Sequence, residues 1–422
     1  MKMKADSKKP MNKVSEVTAC RISGSEHMMT VLDLGVQALT GVFSKKAGIG
    51  ITRGPLQLVW CPESGLLQLK HSYEPDEMYG MNYGYRSGLN AGMVKHLSRK
   101  IDLLSRRFGV ASGDYVVDIG SNDGTSLKAY PQAGLKRIGV DPTGFKFKQY
   151  YQAGIDLIPD FFSAEGLTRE YPGIQAKIVT SIAMFYDLEK PAGFVRDIAS
   201  ILHPEGVWHF EQSYMPTMLR MNSYDTVCHE HLEYYSLTVV SRLLDECGLR
   251  ILDVEMNAVN GGSFAVTAAH KESRHSSNKP VIDWVLAQED RMGLHTPRPY
   301  RLFEERVYEH RKNLMELVHR LKADGRRILG YGASTKGNVL LQFCGFGTSE
   351  IDCIADVNVD KHGSFTPGTE ILIVSEEDAR KMSPDFFLVL PWHFRDGILA
   401  REDAFRAAGG KFIFPLPEIE II

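Results

Sequence analysis

The sequence has few cysteines, no long apolar run and almost no net charge, and each shortage excludes a class of protein. Six cysteines spread over 422 residues do not form the framework of a disulfide-stapled secreted domain. No apolar run approaches the ~20 residues of a membrane span, and the basic N-terminus lacks the apolar region of a signal peptide. A formal net charge of −3 offers no basic surface for nucleic acid or anionic lipid. We therefore expect a cytoplasmic protein with neither nucleic-acid nor membrane partners.

The length of 422 residues exceeds what one hydrophobic core can organise, and the apolar pattern divides the chain into four parts. Short β-like runs predict a small β-rich lobe over 14–75. Buried strands that alternate with helices predict an α/β domain with a parallel sheet over 76–275. Two amphipathic helices predict a connector over 276–325, and the alternation resumes over 326–422 as a second, smaller α/β unit.

The first glycine-rich turn, YVVDIGSNDGTSLKAY, joins a strand to the start of a helix. The amides of such a turn and of the helix N-terminus can bind a polar or anionic group. A dinucleotide fingerprint would place glycines at 120, 122 and 125, but Asn122 and Thr125 occupy the last two positions. The turn instead matches the acidic-x-Gly-x-x-x-Gly start of class I S-adenosylmethionine (SAM) methyltransferases through Asp118, Gly120, Asn122 and Gly124. It therefore predicts a SAM site.

Two later segments supply further candidates for the cofactor site. Asp141 ends the next strand, RIGVD, twenty-three residues after Asp118. A carboxylate at this place can accept hydrogen bonds from both ribose hydroxyls. Asp160 and Phe161, in PDFFSAE, lie where such enzymes contact the adenine, so we expect both at the SAM site.

A second glycine-rich turn, RRILGYGASTKGNVLL, also joins a strand to a helix. Gly330 and Gly332 fit a dinucleotide fingerprint, whereas Thr335 occupies the third glycine position. Asp356 ends the following strand at a spacing suited to a ribose-binding acid. By itself, this segment favours an NAD-dependent oxidoreductase that uses residues 328–356.

The stretch VCHEHLEYYS, residues 227–236, concentrates groups that suit a metal site, a cysteine nucleophile or a general base. The zinc-protease pattern H-E-x-x-H fails because Glu233 stands where the second histidine is required. Histidine suits the base because its unperturbed pKa is near neutrality. These residues by themselves leave a nucleophilic Cys228 and a histidine base both open.

Taken in order along the chain, these blocks resemble the nucleotide-sugar C-methyltransferases of deoxysugar biosynthesis, of the 3-C-methyl-hexose type. The resemblance covers about residues 18–420 through CRISGSEHMMTVLDLGVQALTGVF, MYGMNYGYRSGLN, HEHLEYYSL, NGGSF, GYGASTKGNVLLQFCG and DVNVDKHGSFTPGTEILI. It implies an α/β protein with a small N-terminal lobe, a class I methyltransferase domain and a C-terminal Rossmann-like domain. It also implies methyl transfer from SAM to C3, next to the ketone, of a nucleoside-diphosphate 4-keto-deoxysugar.

The resemblance also assigns roles within VCHEHLEYYS. Removal of a proton next to a ketone needs a base, and donors must stabilise the enolate that forms. The family pattern implies that His231 is the base, with Glu230 orienting it or holding the sugar and His229 beside them. Tyr234 or Tyr235 is implied as the donor to the keto oxygen.

The sequence departs from the family's usual pattern at four positions. Cys228 stands where the family usually has a tyrosine, Asn260 where it has a histidine, and His393 where it has an asparagine. Asp187 stands near the position of another histidine that is common in the family. These changes bear on which sugar and which carbon are methylated, and they leave the base in place.

The family's first lobe binds zinc through two C-x-x-C pairs, and here the second cysteine of each pair is a serine. The pairs are Cys20-Arg-Ile-Ser23 and Cys61-Pro-Glu-Ser64. Serine is a poor ligand for a structural site that requires four strong N or S donors. We therefore expect a lobe that keeps its fold without zinc.

The remaining candidates are placed by the resemblance around two ligands. Tyr83, Tyr85 and Ser87, in YGYRSG, are expected to close the cofactor site and exclude water. The resemblance implies that the second glycine-rich turn belongs to a degenerate Rossmann unit, which binds the nucleotide part of the substrate. The residues expected at the diphosphate are Ser334, Thr335, Lys336, Lys361 and His362.

Three other functions stay open at this point. An O- or N-methyltransferase of a related nucleotide sugar would use the same pocket, with a base for a hydroxyl and none for an amine. The second glycine-rich turn keeps the NAD-dependent oxidoreductase open, and the lost zinc ligands suggest a non-catalytic binding protein. The sequence determines neither the nucleotide and sugar nor whether the protein is a monomer or a dimer.

Overall fold

The N-terminal lobe consists of short antiparallel strands in the computed structural model, which describes residues 13–78 and 85–422; Tyr83 lies outside them. The elements of the lobe are β1 (Val14–Glu16), β2 (Met29–Ala38), β3 (Arg53–Trp60), β4 (Leu67–Leu69), β5 (His71–Tyr73) and α1 (Pro75–Met78). Strands β2, β3 and β4 are neighbours in one sheet, and β1 pairs with β5. Gly35, with a φ of +75°, lies where the β2–β3 register shifts, so the strand bends there at a bulge.

The four positions of the two C-x-x-S pairs meet in this lobe as crossed pairs. Cys20 Sγ lies 3.2 Å from Ser64 Oγ, and Ser23 Oγ lies 3.6 Å from Cys61 Sγ. Two thiols and two hydroxyls that bond to each other are not a donor set for structural zinc. Within 13–78 and 85–422, no group of three or more His, Cys, Asp or Glu side chains could hold a metal. Hydrogen bonds thus join the two pairs directly.

The middle domain contains the larger sheet, whose strands are covered on both faces. The strands in chain order are β6 (Tyr115–Ile119), β7 (Lys136–Val140), β8 (Ile155–Ile158), β9 (Ala176–Ile182), β10 (Leu202–Ser213), β11 (Glu233–Tyr234), β12 (Leu249–Asn257) and β13 (Ser263–His270). The sheet order is β12-β13-β10-β9-β6-β7-β8. Its strands run parallel except β13, which is antiparallel to both neighbours. The predicted parallel sheet is therefore present.

Seven helices belong to the middle domain. They are α2 (Ala91–Phe108), α3 (Thr125–Lys128), α4 (Gly144–Phe147), α5 (Ala164–Glu170), α6 (Pro191–Ile201), α7 (Met215–Arg220) and α8 (Leu237–Glu246). Asn90 is the N-cap of α2, and its side chain accepts from the amides of Gly92 and Met93 at 2.9 and 3.2 Å. The helix continues because its apolar residues recur on one face, which is buried through Leu97, Ile101, Leu104 and Phe108.

Strand β11 leaves the middle domain and joins the sheet of the N-terminal lobe. Glu233 and Tyr234 pair in antiparallel register with Gln68 and Leu67 of β4. Strand β11, which follows His229 and His231 in the chain, therefore belongs to the sheet of the N-terminal lobe. This pairing attaches VCHEHLEYYS to the lobe as well as to the middle domain.

Two helices, α9 (Lys279–Arg291) and α10 (Arg298–Ala323), lie within 276–325 and lead to the C-terminal domain. Phe303, Val307 and Leu314 of α10 belong to one apolar core shared by the N-terminal lobe and the C-terminal domain. Although α10 has 26 residues, no helix in the described part of the chain is long and apolar enough to cross a membrane.

The C-terminal domain is a second open sheet. Its strands are β14 (Ile328–Tyr331), β15 (Ile354–Asp356), β16 (Ile373–Ser375), β17 (Phe386–Val389), β18 (Lys411–Phe414) and β19 (Glu420–Ile421). Their order is β16-β15-β14-β17-β18-β19, and only β19 is antiparallel to its neighbour. The helices are α11 (Thr335–Cys344), α12 (Glu376–Lys381), α13 (Arg395–Arg401) and α14 (Asp403–Ala407). The chain order reverses at β14, and ligands of such sheets bind beside that point.

Replacing Ser23 and Ser64 together with cysteine is expected to create a zinc site in the lobe. The crossed pairs already place each serine oxygen against a thiol, and four thiolates bind zinc at about 2.3 Å. Purified S23C/S64C should contain about one zinc per chain and unfold at a higher temperature, an increase that a chelator removes.

The single variants S23C and S64C are the controls, because each offers three thiols and no fourth strong donor. A double variant that purifies without zinc would show that the four side chains do not converge on one point.

Candidate active site

A cavity of about 1290 Å³ lies between the three units, at the carboxyl ends of the strands of both parallel sheets. The middle domain contributes the residues that follow β6, β7, β9 and β10. The C-terminal domain contributes those that follow β14, β15 and β17, and the N-terminal lobe contributes Gly41 and Phe43. Ligands of open α/β sheets bind at this edge, so the cavity is the candidate active site.

The first glycine-rich turn forms one wall of the cavity. Gly120, Asn122 and Gly124 have φ angles of +73°, +51° and +73°, which glycine and asparagine adopt more readily than other residues. A Cβ added at Gly120 would lie 3.0 Å from Cγ of Met184, so a side chain has no room there. The turn therefore keeps its backbone exposed to the cavity, where its amides can bind a ligand.

Two carboxylates fix this wall. Burial raises the pKa of Asp118 to about 7, although Thr180 Oγ1 donates to it at 2.5 Å and opposes the shift. Asp141 Oδ2 accepts from the Asn122 amide at 2.7 Å, and its Oδ1 accepts from the amide and the hydroxyl of Thr143 at 2.6 Å each. Asp141 therefore ties the two loops together, and its oxygens have lone pairs left for further donors.

Residues 85–88, which we call the clasp, lie across the glycine-rich turn. Asn122 Nδ2 donates to the Tyr85 carbonyl at 3.2 Å, and Asn122 Oδ1 accepts from the Ser87 amide at 3.0 Å. Asp123 accepts from the amide of the next clasp residue at 3.0 Å. Tyr85 and Ser87 both line the cavity, so the clasp forms part of its wall beside the turn, and closure of the cofactor site by these residues stays a prediction.

Of the two residues expected at the adenine, Phe161 lines the cavity and Asp160 lies outside its lining. Asp160 Oδ1 accepts from the Phe161 amide at 2.7 Å, and Asp160 lines a smaller neighbouring groove with Glu165 and Arg169. A cofactor contact for Asp160 stays a prediction.

His231 lies on the cavity wall with one ring nitrogen committed to the backbone. Nδ1 lies 2.9 Å from the Thr226 carbonyl oxygen, which can only accept, so Nδ1 holds the hydrogen and Nε2 the lone pair. The ring packs against Tyr186 with 4.2 Å between centroids. Burial, assisted by the positive charge of Lys336, lowers the pKa of His231 to about 3. The imidazole is therefore neutral, and its Nε2 carries a lone pair that can accept a proton.

Glu230 reaches between the N-terminal lobe and the C-terminal domain. A Cβ added at Gly41 would overlap Glu230 Oε1 and would lie 3.7 Å from Thr335 Oγ1. Glycine at 41 thus leaves the space that this carboxyl occupies. Burial raises the pKa of Glu230 to about 7, so near neutral pH the group can act as donor or acceptor.

The other candidates in VCHEHLEYYS lie outside the cavity lining. His229 is fully buried, in edge-to-face contact with Tyr73 of the lobe at 4.6 Å between centroids. The Tyr234 hydroxyl lies 3.4 Å from a backbone carbonyl, and Tyr235 stacks within the apolar core of the middle domain. Catalytic roles for these three residues remain predictions that rest on the resemblance alone.

A polar cluster at the end of β10 was not identified from the sequence. Glu211 lies 2.6 Å from His96 Nε2 and 3.1 Å from Lys100 Nζ, and it accepts from Asn257 at 2.9 Å. Burial opposes its charge, but His96 and Lys100 outweigh burial and lower the pKa of Glu211 to about 2. The Gln212 amide lines the cavity, buried and without a partner among the described residues. The polar EQS at the end of an apolar strand was the available signal.

The second glycine-rich turn forms the opposite wall. Gly332 has a φ of +82°, and a side chain there would collide with Pro391. Ser334 is the N-cap of α11. Asp356 accepts from two backbone amides of the surrounding loops at 2.7 Å each, so it fixes this turn as Asp141 fixes the first.

The residues expected at the diphosphate are divided between the cavity and its surroundings. His362 lies outside the lining, with Nε2 2.8 Å from a backbone carbonyl. Lys336 donates to the Asn260 carbonyl at 2.8 Å, so it reaches from the C-terminal domain to the middle domain. The members of the set that line the cavity are Ser334, Thr335, Lys336 and Lys361.

The chain matches three family models: "Putative zinc binding domain" over residues 20–79, "Methyltransferase domain" over 93–254 and "C-methyltransferase C-terminal domain" over 258–417. The C-methyltransferase NovU of Streptomyces niveus is 35% identical over 416 residues, which are 97% of this chain and 98% of that protein.

Two similar solved structures each cover less than half of this chain. Magnesium protoporphyrin IX methyltransferase of Synechocystis PCC 6803 with bound SAM is 14% identical, with a TM-score of 0.32, over 43% of this chain and 80% of that one. A LepI complex with SAM is 13% identical, with a TM-score of 0.34, over 44% and 54%. The predicted fold is confirmed by the two sheets and the family models, and the predicted SAM cofactor by the methyltransferase match.

Replacing Asn122 with glycine is expected to weaken SAM binding about tenfold. The variant loses two hydrogen bonds to the clasp, each worth roughly 1 kcal/mol, and water that bonds to the freed clasp groups restores part of that free energy. Glycine keeps the positive φ, so the turn itself stays intact. Calorimetric titration with SAM measures the change.

Asn222→Gly is the matched control, because Asn222 has the same φ of +51° outside the cavity lining. Equal SAM affinity in both variants would show that the clasp does not contribute to the cofactor site.

Proposed function

The chain belongs to the C-methyltransferase family of SAM-dependent enzymes, and from this we propose that it methylates C3, next to the ketone, of a nucleoside-diphosphate 4-keto-deoxysugar. The supporting observation is that one cavity joins a SAM-type wall, a neutral histidine and the binding edge of a second Rossmann-like sheet. When bound, SAM supplies the electrophilic methyl group.

The cofactor wall has groups that fit SAM. The amides of the first turn suit its amino-acid part, and the remaining lone pairs of Asp141 suit the ribose hydroxyls. Gln212 offers an amide with both polar atoms unpartnered in the described structure. The clasp lies beside these groups and limits access of water.

His231 has the features that deprotonation next to a ketone requires. The proton is weakly acidic, so a base must lie at the reacting carbon. Nε2 takes the proton, and the electron pair of the C–H bond becomes the enolate. With SAM held by the first glycine-rich turn and Asp141, the enolate carbon would attack the methyl carbon in line, S-adenosylhomocysteine would leave, and the proton on His231 would pass to solvent. The imidazolium that forms is compensated by the neighbouring enolate charge, although burial disfavours it.

The nucleotide part of the substrate is proposed to bind at the second wall. The N-terminus of α11, a helix of 10 residues, faces the cavity with the side chains of Ser334 and Thr335. A helix N-terminus of this kind favours phosphate. Lys361, on the same wall, adds a positive charge.

Replacing His231 with asparagine is expected to reduce turnover at least about 100-fold while SAM affinity is unchanged, because only the base is removed. The measurement is loss of the C3 hydrogen to D₂O in the presence of S-adenosylhomocysteine, together with formation of the methylated product. The substrates are a panel of nucleoside-diphosphate 4-keto-deoxyhexoses.

His295→Asn, at an exposed histidine of the connector, is the control for the substitution itself. Methylation without loss of a carbon-bound hydrogen would contradict C-methylation and favour the O- or N-methyltransferase. Turnover coupled to a change at the nicotinamide absorbance would favour the oxidoreductase.

The pH dependence separates the two ionisable groups at the base. A base with a pKa of about 3 stays unprotonated throughout the neutral and mildly acidic range. Glu230, with a pKa of about 7, titrates within that range. The kcat/KM profile of Glu230→Gln is therefore expected to differ from that of the wild-type protein near pH 7, while Asp118, whose pKa is also about 7, titrates in both. Identical profiles would show that Glu230 does not titrate in the working enzyme.

A further inference from the structure

An enolate requires a donor at its oxygen, and the donors that the family pattern supplies are not at the cavity in this protein. This reasoning rests on the proposed function. Tyr234 and Tyr235 lie outside the lining. The family's usual tyrosine is Cys228, which does line the cavity, but burial raises the pKa of its thiol well above the ordinary value and a thiol is a weak donor.

Lys336 lies where such a donor is needed. It is the second residue of α11, lines the same cavity as His231, and is close enough for its charge to lower the pKa of His231 and of His393. One of its three N–H groups donates to the Asn260 carbonyl at 2.8 Å. The ammonium group has two further hydrogens to donate.

A continuous series of contacts connects Lys336 with His231, the proposed base. Asn260 precedes Gly261, on which the Trp392 ring packs. Trp392 Nε1 donates to Asp225 Oδ2 at 2.9 Å, and the next residue, Thr226, accepts from His231. The ammonium group and the imidazole are therefore held in one frame that spans the middle and C-terminal domains.

Asp225 is the neighbouring group whose charge favours a cation at Lys336. Asp225 is 2% exposed, and its Oδ1 has no hydrogen-bond partner in the described part of the chain. Burial lowers the pKa of Lys336, while the charge of Asp225 opposes that shift. A negatively charged enolate oxygen beside Lys336 would add a second compensating charge, one that the ketone lacks.

We propose that Lys336 is a catalytic residue that donates to the keto oxygen of the substrate and stabilises the enolate formed when His231 removes the neighbouring proton. In this role Lys336 donates a hydrogen bond and transfers no proton. This role differs from the diphosphate contact expected from the sequence, which the structure leaves to Ser334, Thr335 and Lys361. The substrate class that it implies is a ketone, since an amine or hydroxyl acceptor forms no enolate.

The test compares Lys336→Met, Lys336→Arg and Lys361→Met in the full chain with the 4-keto-deoxyhexose nucleotides. Lys336→Met is expected to lower kcat, for both C3 hydrogen exchange and methylation, about 100-fold or more, as loss of one oxyanion donor does elsewhere. KM should change by less than about fivefold, and SAM affinity should be unchanged. Lys336→Arg should restore part of kcat, and Lys361→Met should raise KM while kcat is retained.

Two results would overturn the assignment of Lys336. A raised KM with wild-type kcat at saturation in Lys336→Met would make Lys336 a diphosphate ligand. The second result is that Lys336→Met and Lys336→Arg both have wild-type kinetics while Tyr186→Phe loses kcat. Tyr186 would then be the donor to the keto oxygen. If Lys336→Met fails to bind SAM, the same comparison of kcat with KM is made in Lys336→Arg and Lys336→Gln. A loss of kcat there supports the catalytic role, and a raised KM alone contradicts it. Absence of exchange in the wild-type protein with every ketone would instead overturn the proposed function itself.

Discussion

The hydrogen bond between the Trp392 indole and the buried Asp225 carboxylate joins the C-terminal domain to the loop that presents His231. The same loop is held at its other end, where β11 pairs with β4 of the N-terminal lobe. Between these attachments, the Thr226 carbonyl sets the tautomer of His231 and Gly41 leaves space for Glu230. The proposed base, His231, is therefore positioned by all three units, and its geometry depends on their mutual packing rather than on any one domain.

This dependence explains why the N-terminal lobe can keep its fold with two zinc ligands changed to serine. The lobe supplies β4, against which β11 pairs, and Gly41 at the cavity. Its β-strands are buried in an apolar core shared with α10 and the C-terminal domain. Crossed Cys–Ser contacts join the positions at which the resemblance places the zinc ligands. The lobe supplies a fixed edge strand, and apolar burial stabilises it.

The electrostatics of the cavity follow from burial in the same way. Low polarity raises the pKa of Asp118 and Glu230 and lowers that of His231. Glu211 is the exception, because His96 and Lys100 compensate its charge directly. The cavity lining thus combines carboxyl groups of raised pKa and a neutral histidine with Glu211, a compensated anion. A charge that develops in such a site is strongly influenced by nearby cations, of which Lys336 is one.

The sequence by itself determined the local elements of both glycine-rich turns. Asn122 and the neighbouring glycines adopt positive φ, and Asp141 and Asp356 end the strands beside them, so strand, turn and acid could be predicted from spacing. The serines at 23 and 64 were equally visible, and the expectation of a lobe without zinc that rests on them stays a prediction. The alternation of strands and helices predicted a parallel sheet, but it did not predict the order of the strands within that sheet.

Which side chains of VCHEHLEYYS face the cavity was decided by tertiary structure. His229 and Tyr234 are buried toward the lobe, Tyr235 is buried in the core of the middle domain, and His231 lines the cavity. Neighbouring residues of a loop and a short strand point in different directions, and the direction is fixed by the unit on which each one packs. Gln212 and Lys336 reach the site from separate elements for the same reason. The sequence specified the chemistry available to the protein, and packing between three units selected the groups that meet in one cavity.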